Sequence, residues 1–187
     1  SFLRAIPNMT LFAPSSDTTM SLAMDFAKAY DHPCAFRYPR GAFTAEDCAA
    51  SPFELGKSEL IKEGESVLFL GYGNGVGRAI ETARHLEDID PAILDLRFVK
   101  PLDEEQLKKL AEEYTQWFVF SDSASMGGVG SALLEFLSRK EISNVSLTTF
   151  EYEDDFITHG NTKLVEESLG ILPEQLAVKI TQKINKT

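Results

Sequence analysis

The stretch RYPRG places two arginines, Arg37 and Arg40, around a tyrosine and a proline. An arginine presents a planar fork of N–H donors, which matches the oxygens of a carboxylate or a phosphate. Pro39 stiffens the backbone of this segment, and Gly41 lets the chain turn away without a blocking side chain. The pattern indicates one of two roles: the arginines hold the fold together, or they bind an anion from outside the chain.

A third arginine stands at the end of a predicted strand. In LDLRFVKPLD, residues 94–103, Arg97 and Lys100 follow an apolar run, and α/β sheets usually carry functional groups at the carboxyl ends of their strands. The pattern favours a structural role, in which Arg97 fixes the strand end by pairing with a nearby carboxylate. Asp122, at the end of the apolar run WFVFSD, is the obvious candidate for that carboxylate, although the sequence does not itself show the pairing.

Two glycine-rich turns each come between a predicted strand and a predicted helix. The first, GYGNGVG at 71–77, fits the dinucleotide fingerprint G-x-G-x-x-G in neither possible frame, because the third glycine falls on Val76 or Arg78. A sharp turn that needs small residues is therefore the better explanation. The second, SMGGVG at 125–130, precedes a helix whose N–H groups could hold an anion. A tight turn or a close helix contact explains this second motif equally well and is favoured.

Histidines and cysteines are few and far apart. The three histidines, His32, His85 and His159, are too scattered to indicate a metal centre, and His159 is predicted to lie in an exposed or interdomain loop. The two cysteines, Cys34 and Cys48, have no paired spacing, which argues against a zinc site or a disulfide framework and favours a reducing compartment. No serine or cysteine has a recognisable base partner, so the sequence contains no self-sufficient catalytic apparatus.

The composition is that of a globular, acidic protein. Of 187 residues, 43% are hydrophobic and 25% are charged, which argues against disorder. The 29 acidic side chains outnumber the 18 basic ones, so the average surface repels a nucleic-acid backbone. No apolar run approaches the roughly 20 residues that a membrane-spanning helix needs. We therefore expect neither a nucleic-acid nor a membrane partner.

Strands and helices alternate along the chain in two units. The first has a short strand at 10–13, a helix capped at 15–17 and a second strand at CAFRY. Residues 41–56 lose all periodicity and are typical of a linker. The second unit alternates helices with continuous apolar runs, which are expected for parallel strands buried on both faces. Its strands are predicted at SVLFLGYG, AILDLRFV, WFVFSD and VSLTTFEY, and its helices near 75–86, 102–114, 130–140, 162–169 and 173–183.

Five segments, in this order along the chain, match one enzyme family: LRAIPNMTLFAPSSDTTM, RYPRG, DLRFVKPLD, SMGGVGSALLEFL and FITHG. On these motifs the chain resembles the carboxyl-terminal third of the 1-deoxy-D-xylulose-5-phosphate synthase family. The resemblance implies a transferase of the transketolase type that condenses pyruvate with glyceraldehyde 3-phosphate, releases carbon dioxide, and uses thiamine diphosphate with Mg²⁺. Its product would feed isoprenoid and thiamine biosynthesis.

The resemblance also implies an arrangement of domains. Residues 1–45 correspond to the tail of a pyrimidine-binding α/β domain and 46–53 to a linker. Residues 54–187 correspond to a transketolase C-terminal-type α/β domain, whose mostly parallel sheet is flanked by helices. Arg40 corresponds to the arginine that grips the phosphate of glyceraldehyde 3-phosphate. The resemblance places the catalytic, cofactor and metal residues upstream, so we expect no catalytic residue in this chain and no cofactor bound to it alone.

The chain opens at Ser1 in mid-pattern, and we expect it to be a piece of a longer protein. The resemblance implies that this protein is bacterial and cytoplasmic and forms a homodimer as a complete enzyme. A transketolase and the beta subunit of a 2-oxo acid dehydrogenase are alternatives, since their terminal domains share this architecture. A non-catalytic interaction or dimerisation module built on the same fold is a third.

Overall fold

Two β-sheets organise the computed structural model, which describes residues 2–45 and 50–186. The strands are β1 (Thr10–Phe12), β2 (Cys34–Phe36), β3 (Glu59–Lys62), β4 (Val67–Tyr72), β5 (Pro91–Asp95), β6 (Phe98–Lys100), β7 (Gln116–Ala124) and β8 (Ser146–Tyr152). The α-helices are α1 (Asp17–Ala29), α2 (Asn74–Arg84), α3 (Glu104–Glu113), α4 (Val129–Arg139), α5 (Thr162–Leu169) and α6 (Pro173–Ile184). A short 3-10 helix spans Phe2–Ala5.

The larger sheet has the strand order β3-β5-β4-β7-β8. Strands β5, β4, β7 and β8 run parallel to one another, and β3 pairs antiparallel to β5 at the edge. The predicted, mostly parallel sheet is therefore confirmed. The antiparallel edge strand β3 was not predicted, because its short sequence ELIK alternates between half-buried and exposed residues and lacks a continuous apolar run.

Side chains alternate along the central strands and fill two separate cores, one on each face of the larger sheet. Helices α3 and α4 cover one face through Leu107, Leu110, Leu133 and Phe136. Helices α2 and α6 cover the other face through Ala79, Leu176 and Ile180. Strands β4 and β7 lie side by side, but α2, which follows β4, and α4, which follows β7, lie on opposite faces of the sheet. The carboxyl ends of β4 and β7 therefore border a crevice between these two helices.

The smaller sheet has the order β2-β1-β6. Its strands β1 and β2 are joined by α1, which confirms the predicted order of strand, helix and strand, and the two strands run parallel. The side chain of Ser16 accepts a hydrogen bond from the Thr19 backbone N–H at 3.2 Å, which caps the first turn of α1. Strand β6 comes from the later part of the chain and pairs antiparallel to β1, so this sheet combines segments from both predicted units.

The apolar run AILDLRFV does not form the single strand that its sequence predicts. It divides into β5 in the larger sheet and β6 in the smaller one, with Leu96 and Arg97 between them. Arg97 has a φ of 51°, a left-handed conformation that is uncommon for a residue with a side chain. This bend transfers the chain from one sheet to the other.

Four phenylalanines form one aromatic cluster beside the smaller sheet, and they come from both predicted units: Phe12, Phe26, Phe53 and Phe98. Phe12 and Phe98 are fully buried, and Phe53 lies in the segment predicted as a linker. Part of that linker, residues 46–49 with Cys48, lies outside the described residues. Cys34, in β2, is a half-buried free thiol.

The predicted helices of the second unit are confirmed, and each begins and ends within two residues of its predicted limits. Helix α5 differs from the others because it contributes no buried residue. Among residues 2–45 and 50–186, no helix has the length and apolar character needed to cross a membrane.

Candidate functional site

A cleft of about 520 Å³ opens at the carboxyl edge of the larger sheet, where β4 and β7 end. One wall is the turn after β2, residues 37–42. The other wall is formed by the start of α2, with Asn74 and Arg78, and by Thr162 and Glu166 of α5. The cleft therefore lies between the predicted first unit and the α/β unit.

The turn from β4 into α2 is as sharp as its glycines predict. Gly73 has a φ of 57°, a conformation that glycine adopts without strain. A side chain at Gly75 would collide with the main-chain carbonyl of Phe120 on the neighbouring strand β7. The glycines of GYGNGVG therefore serve close packing, as the sequence predicted.

The two arginines of RYPRG have different surroundings. The Nη1 of Arg37 donates a hydrogen bond to the main-chain carbonyl of Asp122 at 2.8 Å. Arg40 lines the cleft and is exposed, and it has neither an ion pair nor a hydrogen bond with any residue that the structure describes. Arg37 is also exposed at the cleft, but its Nη1 is occupied by this main-chain carbonyl, whereas the donor fork of Arg40 is available to a ligand.

Arg78 links three elements at the base of the cleft. Its guanidinium pairs with the carboxylate of Asp122 at 2.9 Å and with that of Glu166 at 2.8 Å, and the Arg78 side chain is only 10% exposed. Burial alone would lower the pKa of Arg78, but the charges of the two carboxylates outweigh it and raise that pKa. The guanidinium is therefore charged, and it joins α2 to the end of β7 and to α5.

The predicted pairing of Arg97 with Asp122 is wrong. Arg97 is 1% exposed and pairs instead with Glu59 of β3. It also donates to the Ser51 hydroxyl at 3.2 Å and lies over the Phe53 ring, 4.7 Å from the centroid. The predicted structural role is confirmed, because Arg97 does fix the bend after β5. Its actual partner lies on the strand that the sequence did not reveal.

A buried carboxylate lies next to Arg97. Asp95 accepts a hydrogen bond from the Ser15 hydroxyl at 2.7 Å and another from the Arg97 backbone N–H at 2.9 Å. Burial raises the pKa of Asp95 to about 6, although both hydrogen bonds oppose this shift. Asp95 therefore joins the start of α1 to the end of β5 inside the protein and is closed to a ligand.

The amino terminus of α4, which follows the SMGGVG motif, already holds an anion from within the chain. The carboxylate of Glu151, on β8, accepts hydrogen bonds from the backbone N–H groups of Val129 at 2.9 Å and Gly130 at 3.2 Å. The Ser123 hydroxyl donates to the same carboxylate. Burial raises the pKa of Glu151, and these hydrogen bonds oppose the shift. A side chain at Gly128 would collide with the main-chain carbonyl of Ala124, which supports the favoured interpretation, a tight turn or a close helix contact. An external anion at this position would have to displace Glu151.

The remaining sequence candidates lie away from the cleft. His159 is exposed in the loop between β8 and α5, as predicted, and does not line the cleft. Lys100 donates to the main-chain carbonyls of Arg4 at 2.8 Å and Ile6 at 2.6 Å, which gives it a structural role. Within residues 2–45 and 50–186, no group of three or more His, Cys, Asp or Glu side chains is arranged to hold a metal ion.

A protein-family model described as "Transketolase, C-terminal domain" matches residues 56–176. This match covers more than half of the chain and includes β3 to β8 and α2 to α5. The chain belongs to the transketolase C-terminal domain family. The fold class predicted from the sequence is thereby confirmed.

Curated relatives carry one common name. The chain is 60% identical over 182 residues to a protein of Sulfurimonas denitrificans named 1-deoxy-D-xylulose-5-phosphate synthase, and 57% identical to the protein of the same name from Aliarcobacter butzleri. Both matches cover 96% of this chain and 30% of the relative. The family resemblance predicted from the sequence is confirmed, and the chain spans about a third of the length of these relatives.

Solved structures share the fold at lower identity. A structure titled "Split gene transketolase, inactive beta4 tetramer" matches 96% of this chain and 59% of its own, with a TM-score of 0.87 and 23% identity. A transketolase from Campylobacter jejuni matches 97% of this chain and 27% of its own, with a TM-score of 0.64 and 19% identity. At these identities the comparison supports the architecture of the chain and no finer property.

Sequence reasoning did not single out the residues that shape the cleft beside Arg40. In the sequence, Arg78 is notable only because it does not fit the dinucleotide fingerprint, and no motif points to Glu166. One signal was available, because an arginine in the first turns of a helix that follows a parallel strand lies near the carboxyl edge of the sheet. The partners of Arg78 come from distant segments, which the sequence alone does not bring together.

Proposed function

We propose that this chain is the carboxyl-terminal part of a 1-deoxy-D-xylulose-5-phosphate synthase, which condenses pyruvate with glyceraldehyde 3-phosphate and releases carbon dioxide. Relatives that are 57–60% identical carry this name, and the five sequence motifs favour the same enzyme. Transketolases match only at 19–23% identity, so the alternative of a transketolase rests on a shared fold.

The observation that carries the proposal is the state of Arg40. Its guanidinium lies in the wall of a cleft and has no internal partner among the described residues, whereas Arg37, Arg78 and Arg97 are each occupied. A planar donor fork matches two phosphate oxygens, and Pro39 fixes the backbone next to it. Arg40 is therefore proposed to bind the phosphate of the acceptor and so to hold its aldehyde at a fixed distance from the reacting carbon.

The described residues do not fit thiamine diphosphate with its metal ion. A diphosphate–Mg²⁺ group needs oxygen ligands grouped around the cation, and no such group of carboxylates occurs in the described part of the chain. We therefore propose that this cofactor binds to other parts of the complete enzyme. Calorimetric titration of thiamine diphosphate and Mg²⁺ into the isolated chain is expected to show no binding, and tight binding would contradict this assignment.

The division of the chain belongs to the same proposal. Residues 1–45 would be the end of a pyrimidine-binding domain, 46–53 a linker and 54–187 the terminal domain, in an enzyme that is a cytoplasmic homodimer. The aromatic cluster supports a fixed contact between the first and last of these parts, since Phe12 and Phe98 pack 5.4 Å apart.

The experiment that tests the proposal is steady-state kinetics of the complete enzyme with Arg40→Ala. Loss of a charge-assisted hydrogen bond costs about 1.5–3 kcal/mol, so KM for glyceraldehyde 3-phosphate is expected to rise roughly tenfold or more. KM for pyruvate is expected to stay the same, because pyruvate carries no phosphate. An unchanged KM for the phosphorylated acceptor would rule out this role for Arg40.

The non-catalytic alternative is tested in the same preparation. A complete enzyme that forms product from pyruvate and glyceraldehyde 3-phosphate excludes a simple interaction module. A protein that carries this chain and lacks the condensation, while it still folds and self-associates, would favour the module instead.

A further inference from the structure

A side-chain hydrogen bond from Arg37 attaches the turn that carries Arg40 to β7 of the larger sheet. Strand β2 ends at Phe36, and the next residue, Arg37, donates its backbone N–H to Phe12 at 3.1 Å. From there the Arg37 side chain reaches across the cleft to the main-chain carbonyl of Asp122 at 2.8 Å. Residues 38–42 then run along the cleft wall toward Thr44.

The acceptor of that hydrogen bond is itself held in place. Asp122 lies near the end of β7, and its carboxylate pairs with Arg78 at 2.9 Å. Arg78 is fixed in turn by its pair with Glu166 of α5, and the side chains of Asp122 and Glu166 are both largely buried, at 21% and 23% exposed. Arg37 therefore attaches the turn to a residue that is itself held by a network of two ion pairs.

From this arrangement we infer that Arg37 is a positioning residue for Arg40, acting with the Arg78–Asp122 pair. Arg37 fixes the first residue of RYPRG against β7, and Pro39, whose ring fixes its own φ, limits the conformations of the backbone between Arg37 and Arg40. A guanidinium that is already aimed loses less conformational freedom when a phosphate arrives. Arg37 does not itself need to touch the ligand.

This inference rests on the proposed function, and its test uses the complete enzyme with two acceptors. One acceptor is glyceraldehyde 3-phosphate, and the other is glyceraldehyde, which lacks the phosphate. Arg37→Met keeps the aliphatic stem and removes the donor. We expect this variant to raise KM for the phosphorylated acceptor about fivefold, which is within the range of interaction energies between residues of one hydrogen-bond network. KM for glyceraldehyde and KM for pyruvate are expected to stay unchanged.

A double-mutant cycle separates positioning from an independent contact. If Arg37 acts through Arg40, the Arg37→Met/Arg40→Ala variant has the same KM for glyceraldehyde 3-phosphate as Arg40→Ala alone. Arg37→Lys restores a donor and is expected to return KM to within about twofold of the original. Arg139→Met is the matched control, because that arginine is 61% exposed and lies on α4 away from the cleft.

A second variant tests the attachment point from the other side. Asp122→Asn keeps the main-chain carbonyl and weakens the pair with Arg78, so it is expected to raise KM for the phosphorylated acceptor about twofold and for no other substrate. If Arg37→Met does not fold, Asp122→Asn takes its place in the cycle. The Asp122→Asn/Arg40→Ala variant must then have the same KM for glyceraldehyde 3-phosphate as Arg40→Ala alone.

The outcomes distinguish the phosphate-binding role proposed for Arg40 from the positioning role inferred for Arg37. If Arg40→Ala has no effect on the phosphorylated acceptor, the proposed function of Arg40 fails, and this inference fails with it. If Arg40→Ala raises that KM but Arg37→Met does not, only the positioning role is overturned. Equal losses with both acceptors, or additive effects in the double variant, also overturn it, because they indicate a general structural role or a separate contact.

Discussion

Arg97 and Arg40 are two arginines that follow short strands, and their surroundings are opposite. Arg97 is 1% exposed and is occupied by Glu59, the Ser51 hydroxyl and the Phe53 ring. Arg40 is exposed in a cleft and has no partner among the described residues. The difference shows that a position at a strand end does not by itself indicate function. What matters is whether the protein supplies the anion itself.

The same contrast holds for helix amino termini. At α4 the carboxylate of Glu151 occupies the N–H groups of Val129 and Gly130. At α2 no side chain of residues 2–45 or 50–186 caps the first turn by a hydrogen bond, and Asn74 lines the cleft. A carboxylate of the protein itself thus occupies the amino terminus of α4, whereas the amino terminus of α2 faces the cleft.

The largest expected effect is the loss of the buried ion pair at Arg97. Arg97→Met leaves the partly buried Glu59 without its partner, so we expect the free energy of unfolding to fall by about 3 kcal/mol. Urea denaturation followed by the fluorescence of Trp117, which is fully buried and the only tryptophan, measures it. Arg139→Met, at an exposed pair, is the control and should lose less than about 1 kcal/mol. Equal losses of unfolding free energy in the two variants would show that the buried pair of Arg97 stabilises the protein no more than an exposed pair does.

The next effect concerns Asp95, the carboxylate beside Arg97. Its pKa of about 6 in the folded protein lies above its ordinary value of 3.8, so folding favours the protonated form. This contribution stabilises the protein below about pH 4 and is lost as the pH rises through 6. Asp95→Asn carries no charge at any pH and should therefore gain up to about 2–3 kcal/mol relative to the original protein between pH 4 and pH 7.

Denaturation curves of both proteins across this pH range measure the gain for Asp95→Asn. Asp90→Asn removes a carboxylate that is 57% exposed and controls for the change in net charge. A difference between the Asp95 variant and the original protein that does not change with pH would contradict the assigned pKa direction.

The smallest effect on stability is expected at Arg40. Because this side chain has no internal partner among the described residues, Arg40→Ala should change the free energy of unfolding by less than about 0.5 kcal/mol. Thermal or urea denaturation of the variant checks it, with Arg97→Met as the opposite case. If the free energy of unfolding falls by about 1 kcal/mol or more, which is twice the usual effect of a surface substitution, Arg40 also stabilises the fold.

Local patterns predicted most of the secondary structure. The helices near 75–86, 102–114 and 130–140 are recognisable because each follows an apolar strand and has its own polar and apolar faces, and those near 162–169 and 173–183 follow the last strand in succession. The split of AILDLRFV into β5 and β6 was not predictable, because both halves are apolar and only the backbone of Arg97 marks the bend. The short edge strand β3 gave too weak a signal.

The errors in the predicted contacts have the same origin. Arg97 was assigned to Asp122 because Asp122 ends a recognised strand, whereas the true partner, Glu59, begins the unrecognised strand β3. Asp122 was free to pair with Arg78 instead. The RYPRG motif and the family resemblance point to Arg40 in the sequence. Its lack of an internal partner among the described residues depends on segments that are distant in sequence, so only the structure shows it.

The pairing of β1 with β6 sets an order of events during synthesis. Leu11 pairs with Lys100 and Phe12 with Phe98, so β1 leaves the ribosome long before its antiparallel partner exists. At about 5–20 residues per second, the wait lasts for several seconds. Strand β2 becomes available sooner and pairs with one edge of β1. The other edge, and with it the cluster of Phe12, Phe53 and Phe98, is completed only when the later half of the chain has been made.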